Sequence, residues 1–310
     1  MDKARIPISD ANILYFTVCA LVVFIGIPTS ILLNISYGHE AYTERVFILI
    51  SQVMFVLFPI LVYLAYKAEK INIKSVLRLN PISTFTLLIV ILISICSHYV
   101  LSSLNMIIAY FFEIFTEIQS MGITPASNIL ELIISIFVFA LIPSICEELL
   151  HRGIMLNAYE RRGTIKAIII SAILFGVFHY DVRSFLSPII FGIILGYIVV
   201  KTDSIFAAIA AHFVNNIFTE IAQFIENTYS LNSVSITMEQ IFINIPSVIV
   251  SLVILLAALK LLSNTSKTKN IAAISGIGSD IVSVVTHWPI VLSFVIYISI
   301  SVMFVLTQVK

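Results

Sequence analysis

The sequence predicts an all-α, polytopic transmembrane helix bundle, and three observations carry that prediction. Of its 310 residues, 60% are hydrophobic and 11% charged, with a mean hydropathy of +1.09, which leaves too little polar surface to coat a soluble globule. The apolar residues gather into about nine runs, most of them near the roughly 20 residues that a helix needs to cross a bilayer. The Lys and Arg residues fall into alternate connections between those runs, the asymmetry that sets membrane orientation.

The runs cover residues 13–33, 46–66, 84–110, 129–157, 165–180, 185–200, 204–224, 242–262 and 288–306. The fifth and sixth are short, so eight spans is the alternative. With the N-terminus inside and Arg152 set apart, the inner connections hold Lys3, Arg5, Lys67, Lys70, Lys74, Arg78, Arg161, Arg162, Lys166, Lys201, Lys260, Lys267 and Lys269. The outer ones hold only Arg45, Arg183 and Lys310. Deleting one span would scatter the later charges onto the wrong side. The expected location is therefore integral to a bacterial cell membrane with the N-terminus cytoplasmic; the lipid bilayer is a partner, and nucleic acid is not.

The first run resembles a signal peptide only superficially. It is about twice as long as a typical apolar signal core and lacks a small-x-small cleavage site, so it is read as a retained helix. Cys19, Cys96 and Cys146 are odd in number and lie within apolar runs, so no disulfide framework is implied. In the third run His98 stands among Ser97, Ser102 and Ser103, a setting that fits a hydrogen bond to a neighbouring helix. The connection 67–81 alternates basic residues with Ile71, Ile73, Val76 and Leu77, so it reads either as a topogenic loop or as an amphipathic segment on the inner leaflet. Acidic residues without a base lead from Glu113 through Asn128 and Glu131 into the fourth run.

That fourth run contains the stretch around which the chain is organised. Glu147, Glu148, His151 and Arg152 lie inside a membrane span, where an ionisable side chain costs roughly 2.5 to 3.5 kcal/mol on insertion scales and so marks a functional site by default. Residues four apart share a helix face. Glu148 is therefore expected to pair with Arg152, leaving Glu147, turned about 100° away, free for chemistry. Downstream, His179 closes one apolar run, and His212 and Asn216 present an imidazole and a carboxamide on one face of another. Counted from the inner connections, Glu147, His179 and His212 lie roughly 16 to 26 Å deep. Ala207, Ala208, Ala210 and Ala211 let the seventh helix pack closely.

Carboxylates, two imidazoles and an amide in a membrane cavity are the parts of a hydrolytic site. A carboxylate acts as general base toward a water held near it. Histidines hold that water directly or through a divalent metal, and an amide or ring N–H stabilises a developing oxyanion. No Ser or Cys stands beside an obvious base, and there is no aspartate pair, which disfavours acyl-enzyme and aspartyl routes.

Three motifs in this order resemble the CPBP intramembrane proteases, the family that includes the CAAX prenyl endopeptidases and the bacterial Abi-type proteins. They are Glu147-Glu148-Leu149-Leu150-His151-Arg152, Phe175-Gly176-Val177-Phe178-His179 and His212-Phe213-Val214-Asn215-Asn216, matching EExxxR, FxxxH and HxxxN. The resemblance covers about ninety residues. It divides the chain into an N-terminal three-helix region (1–127), a CPBP-like catalytic core (128–225) and C-terminal helices that complete the bundle (226–310).

The resemblance implies cleavage of a peptide bond in a membrane-associated peptide or protein. Glu147 is the general base, His179 positions the water, and His212 and Asn216 form the remaining catalytic face, with Glu148 and Arg152 completing the first motif. Members are commonly described as metalloproteases, which makes zinc the candidate cofactor and Glu147, His179 and His212 its candidate ligands; a metal-free glutamate mechanism is the other account. His151 departs from the pattern, since an aromatic residue often precedes the arginine, and it is expected to snorkel toward the interface. A proton- or cation-coupled transporter and a non-cleaving regulator are the alternatives. The first lacks an internal repeat and paired broken helices, and intact motifs argue against the second.

Overall fold

The computed structural model describes residues 5–37, 41–115, 124–229, 236–265, 284 and 286–308. All of the regular structure among these residues is helical. Among the described residues seven helices are long and apolar enough to cross a membrane: α1 (Ile8–Leu33), α2 (Thr43–Lys67), α3 (Thr84–Glu113), α4 (Ile129–Arg162), α7 (Ile205–Thr228), α8 (Met238–Thr265) and α9 (Trp288–Leu306). Two shorter apolar helices, α5 (Thr164–Phe178) and α6 (Leu186–Thr202), lie between α4 and α7. Each expected run thus has its helix, and the two short runs are the two short helices. At 15 and 17 residues they reach about 22 and 26 Å, against a hydrocarbon core of about 30 Å.

α4 is the central element. It packs against α1, α2, α5, α6 and α7. α5 and α6 pack against each other, and Gly192 sets their spacing, because a Cβ there would meet the Ala172 Cα at 2.9 Å. α8 and α9 lie at the rim and keep large apolar side chains such as Phe242, Val253, Val295 and Met303 exposed. Burying such a face in lipid is the role of an outer helix of a membrane bundle.

Proline punctuates three of these helices in the same way. Wide π-type turns at Val22–Gly26, Gln52–Leu57 and Ile136–Leu141 end just before Ile27-Pro28, Phe58-Pro59 and Ile142-Pro143. A proline offers no N–H to the carbonyl four residues back and clashes with it, so the turn before it widens. In α4 the carbonyl to which Pro143 offers no N–H is that of Phe139. A fourth wide turn, Leu149–Met155, begins directly after Glu148.

One end of the bundle is tied by charge. The Arg78 guanidinium donates to both carboxylate oxygens of Glu160 at 2.8 Å and lies 3.1 Å from Asp203. Asn80 donates to the same Asp203, and the Ile205 N–H donates to the Arg78 carbonyl. Arg161 reaches the Arg5 carbonyl, and Lys67 pairs with Asp10 at 2.8 Å. The connection 67–81 is therefore tied to the bundle. Its apolar residues Ile71, Val76 and Leu77 are buried in the protein, and Leu77 lies against Gly153 of α4, where any Cβ would be 2.6 Å away. Sequence alternation showed that the segment is amphipathic; the surface that receives it is made by other helices.

Deeper, the Tyr159 hydroxyl donates to Asn12 Oδ1 at 2.8 Å, and the Asn12 amide lies 3.0 Å from His287 Nδ1, linking α4, α1 and the start of α9. At the opposite end Arg45 is buried, donating to Ser135 Oγ at 2.9 Å and to the Thr124 carbonyl at 3.2 Å. It had been expected merely as an outer-loop charge. Asn128 caps α4 by accepting from the Glu131 N–H, while the Glu131 carboxylate reaches back to the Ser127 N–H, a reciprocal capping arrangement.

Candidate active site

Glu148 and Arg152 form the expected pair one turn apart. Arg152 donates to Glu148 Oε1 at 2.8 Å with both side chains fully buried. The guanidinium also donates to the Gly192 carbonyl at 3.1 Å and lies 4.3 Å over the Phe175 ring, so one cation is held by a carboxylate, a carbonyl and an aromatic face. A buried charge needs that degree of compensation.

The same Glu148 oxygen has a second partner. His212 Nδ1 lies 2.9 Å from Glu148 Oε1. A carboxylate only accepts, so Nδ1 carries the proton and Nε2 is left toward the cavity that His212 lines. The i, i+4 spacing assigns Glu148 to Arg152 alone and gives no sign of this second partner. One oxygen serves both.

His179 caps the C-terminus of α5 and donates Nδ1–H to the Phe175 carbonyl at 2.7 Å, which again leaves Nε2 free. Phe175 is the residue whose importance the sequence understated. Its ring centroid lies 5.0 Å from that of His151, 4.7 Å from His179 and 5.7 Å from His212, each approximately edge-on. The i, i+4 spacing of Phe175 and His179 was the available signal. Asn216 stands one turn beyond His212 and donates one amide hydrogen to the Phe139 carbonyl at 3.3 Å, the carbonyl that Pro143 cannot engage. Its second amide hydrogen remains for the cavity that it lines.

His151 does not snorkel. It is fully buried, with Nδ1 2.8 Å from the Glu147 carbonyl and its ring packed edge-on against Tyr15, Phe175 and Phe178. An aromatic box supplied by α1 and α5 replaces the interface that the sequence alone made the natural destination. His98 interacts with Asn215 and stacks on Phe218, both of α7, as its setting among serines predicted for a helix-contacting histidine.

Two cavities meet at His179. One, of about 200 Å³, is lined by His179, His212 and Asn216, with His98 and Asn105 of α3 across from them. The other, of about 160 Å³, is lined by Glu147 and His179. His179 thus joins Glu147 on one side to His212 and Asn216 on the other. A larger cavity of about 440 Å³ at the charged end includes none of the motif residues.

A zinc ion on the candidate ligands would need Glu147, His179 and His212 to converge. Among the described residues no group of three His, Cys, Asp or Glu side chains is close enough to hold a metal ion. Glu147 and His212 line different cavities. As they stand, the three residues do not fit a three-ligand site.

Comparison with known families agrees with the motifs. No curated protein and no solved structure gave a match. Residues 129–218, from the start of α4 into α7, match the family model described as "Type II CAAX prenyl endopeptidase Rce1-like". That segment contains Glu147, Glu148, Arg152, His179, His212 and Asn216, and over it this membrane-embedded chain is similar to the CAAX prenyl endopeptidases.

Proposed function

We propose that this protein is an intramembrane endopeptidase in which Glu147 activates a water against a peptide bond held in the cavity beside His212 and Asn216. The observation that carries the reading is the Glu148 carboxylate, fixed by Arg152 and bonded to His212 Nδ1 at 2.9 Å, which leaves the opposite nitrogen of that ring for the cavity. The substrate is a membrane-associated peptide or protein, the class that the family name implies. By the positive-inside rule the charged end, with the N-terminus, lies on the cytoplasmic side.

The reaction uses this chain's own groups. Glu147 accepts a proton from the water while the water's lone pair attacks the carbonyl carbon, and the C=O π pair moves onto oxygen. His179, free at Nε2, accepts from or donates to that water from the wall that both cavities share. The oxyanion is met by the free amide hydrogen of Asn216, beside the His212 ring that Glu148 orients through Nδ1. Glu147 then returns the proton to the departing nitrogen as the C–N bond breaks, giving a carboxylate and an amine. No step passes through a metal.

The test compares membranes containing wild type with membranes containing Glu147→Gln, in two assays. One is peptidomic, looking for a peptide that accumulates uncut in the variant. The other supplies a synthetic farnesylated peptide bearing a C-terminal CAAX sequence. Cleavage by wild type and none by Glu147→Gln is expected; equal processing in both assays rules the mechanism out.

A further inference from the structure

Three residues that line the smaller cavity of the site each carry a buried oxygen without a partner. Ser51 Oγ, Gln52 Oε1 and Glu147 Oε2 are each shielded from solvent and make no hydrogen bond. All three residues line the cavity of about 160 Å³, whose remaining walls are Val22, Val56, Phe178 and His179. One such oxygen left unpaired is costly, and native interiors satisfy nearly all of them. Three on residues lining one space point to a small polar occupant as their partner.

The chemistry of the three oxygens identifies that occupant. A carboxylate and an amide oxygen only accept, and a hydroxyl does either. The occupant must therefore donate at least two hydrogens, as water does, and the volume holds several waters. Ser51 and Gln52 reach this space because of a feature remote from the motifs. The wide turn Gln52–Leu57 precedes Pro59, and it packs against Ile142–Glu148, the part of α4 that carries Glu147.

We infer that Ser51 and Gln52 of α2 are water-positioning residues, and that the Glu147 cavity is a hydrated chamber supplying the hydrolytic water. The inference rests on the proposed role of Glu147. A water that donates one O–H to Glu147 Oε2 and the other to Gln52 Oε1 keeps its lone pairs directed away from both, toward the scissile carbonyl. When Glu147 takes the first proton, Gln52 retains the second O–H, and the new C–O bond forms from a water that is already oriented. Ser51 supplies a donor to whichever carboxylate oxygen or water adjoins it. His179 is the partition between the chamber and the peptide cavity, so water and substrate arrive from different sides.

The decisive measurement is an experimental structure of the wild-type protein in lipid at a resolution that shows water. Ordered water within hydrogen-bond distance of both Glu147 and Gln52 is expected, and its loss in Gln52→Met, which keeps the shape but removes the acceptor. A dry chamber, or one filled by an acyl chain, overturns the inference. In parallel, hydrolysis of the farnesylated CAAX peptide should lose about 10- to 100-fold in kcat with KM unchanged in Gln52→Met. Gln52→Asn, which keeps the amide, should recover most of that loss, whereas equal kcat in wild type and Gln52→Met also overturns the inference. Water found in place in a protein that cleaves nothing would instead reject the proposed function and leave the water site standing.

Discussion

His212 on α7 and Glu148 on α4 are joined by a 2.9 Å hydrogen bond whose carboxylate oxygen simultaneously accepts from Arg152 at 2.8 Å. The pair ties the third motif to the first through buried charge. Removing Arg152 leaves a carboxylate in a site with little solvent, and breaking a buried pair in this way costs about 3–5 kcal/mol. Arg152→Ala is therefore expected to lower the amount of folded protein in membranes as well as activity. Glu148→Gln keeps the shape but strands the guanidinium and should do the same. Abundance and thermal unfolding in detergent check this; wild-type abundance for both would show that the pair is not structural.

Glu147→Gln and His179→Ala should behave differently. Glu147 Oε2 bonds to no protein group, and His179 holds only a carbonyl one turn back on its own helix. Each variant is expected to insert, purify and unfold like wild type while losing cleavage. His212→Ala should lose cleavage too, with a modest stability loss of about 1 kcal/mol for the missing hydrogen bond. Activity near the wild-type level in any of the three would remove that residue from the mechanism.

Phe175→Leu tests the aromatic hub. Leucine still fills much of the space but offers no face to Arg152 and no ring to the three imidazoles. A loss of about 1–2 kcal/mol in stability is expected from the missing cation–π and edge contacts. Activity should fall further than stability, because His179 and His212 both lean on this ring. A stability loss without a change in kcat would confine Phe175 to packing.

Gly192→Ala probes how tightly α5 and α6 are set. The new methyl would stand 2.9 Å from the Ala172 Cα and 3.2 Å from Arg152 Nη2, so the helices must separate or the guanidinium must move. Overpacking of this kind costs about 1–3 kcal/mol. A lowered unfolding temperature is expected, together with reduced cleavage through Arg152 and Glu148. An unchanged unfolding temperature would mean that the two helices adjust freely.

The helix order and the Glu148–Arg152 pair could be read from the sequence because both rest on local periodicity: the length of apolar runs and the i, i+4 spacing. What could not be read depends on surfaces made by distant segments. His151 is buried rather than snorkelled because Tyr15 comes from α1 and Phe175 and Phe178 from α5. The connection 67–81 folds inward because Gly153 of α4 leaves room for Leu77. The bond of His212 to Glu148 required knowing that one carboxylate oxygen faces two helices at once. The bond from the Asn216 amide to the Phe139 carbonyl likewise depends on α7 lying against α4.

Metal dependence provides the last prediction. Open catalytic zinc sites commonly use three protein ligands and a water, and the sequence offers Glu147, His179 and His212. One physical fact weighs against that set: Glu147 lines a cavity that His212 does not, while the Nδ1 bond of His212 to Glu148 leaves Nε2 available. If Glu147 were nevertheless a ligand, the general base would have to be Glu148, whose Oε1 is shared by Arg152 and His212. Cleavage is therefore expected to survive a strong chelator, with metal content measured on the same purified sample. The decisive contrary result is zinc bound one per chain, whose removal stops cleavage and whose return restores it. That outcome would require α4 and α7 to rearrange so that Glu147 and His212 face one another.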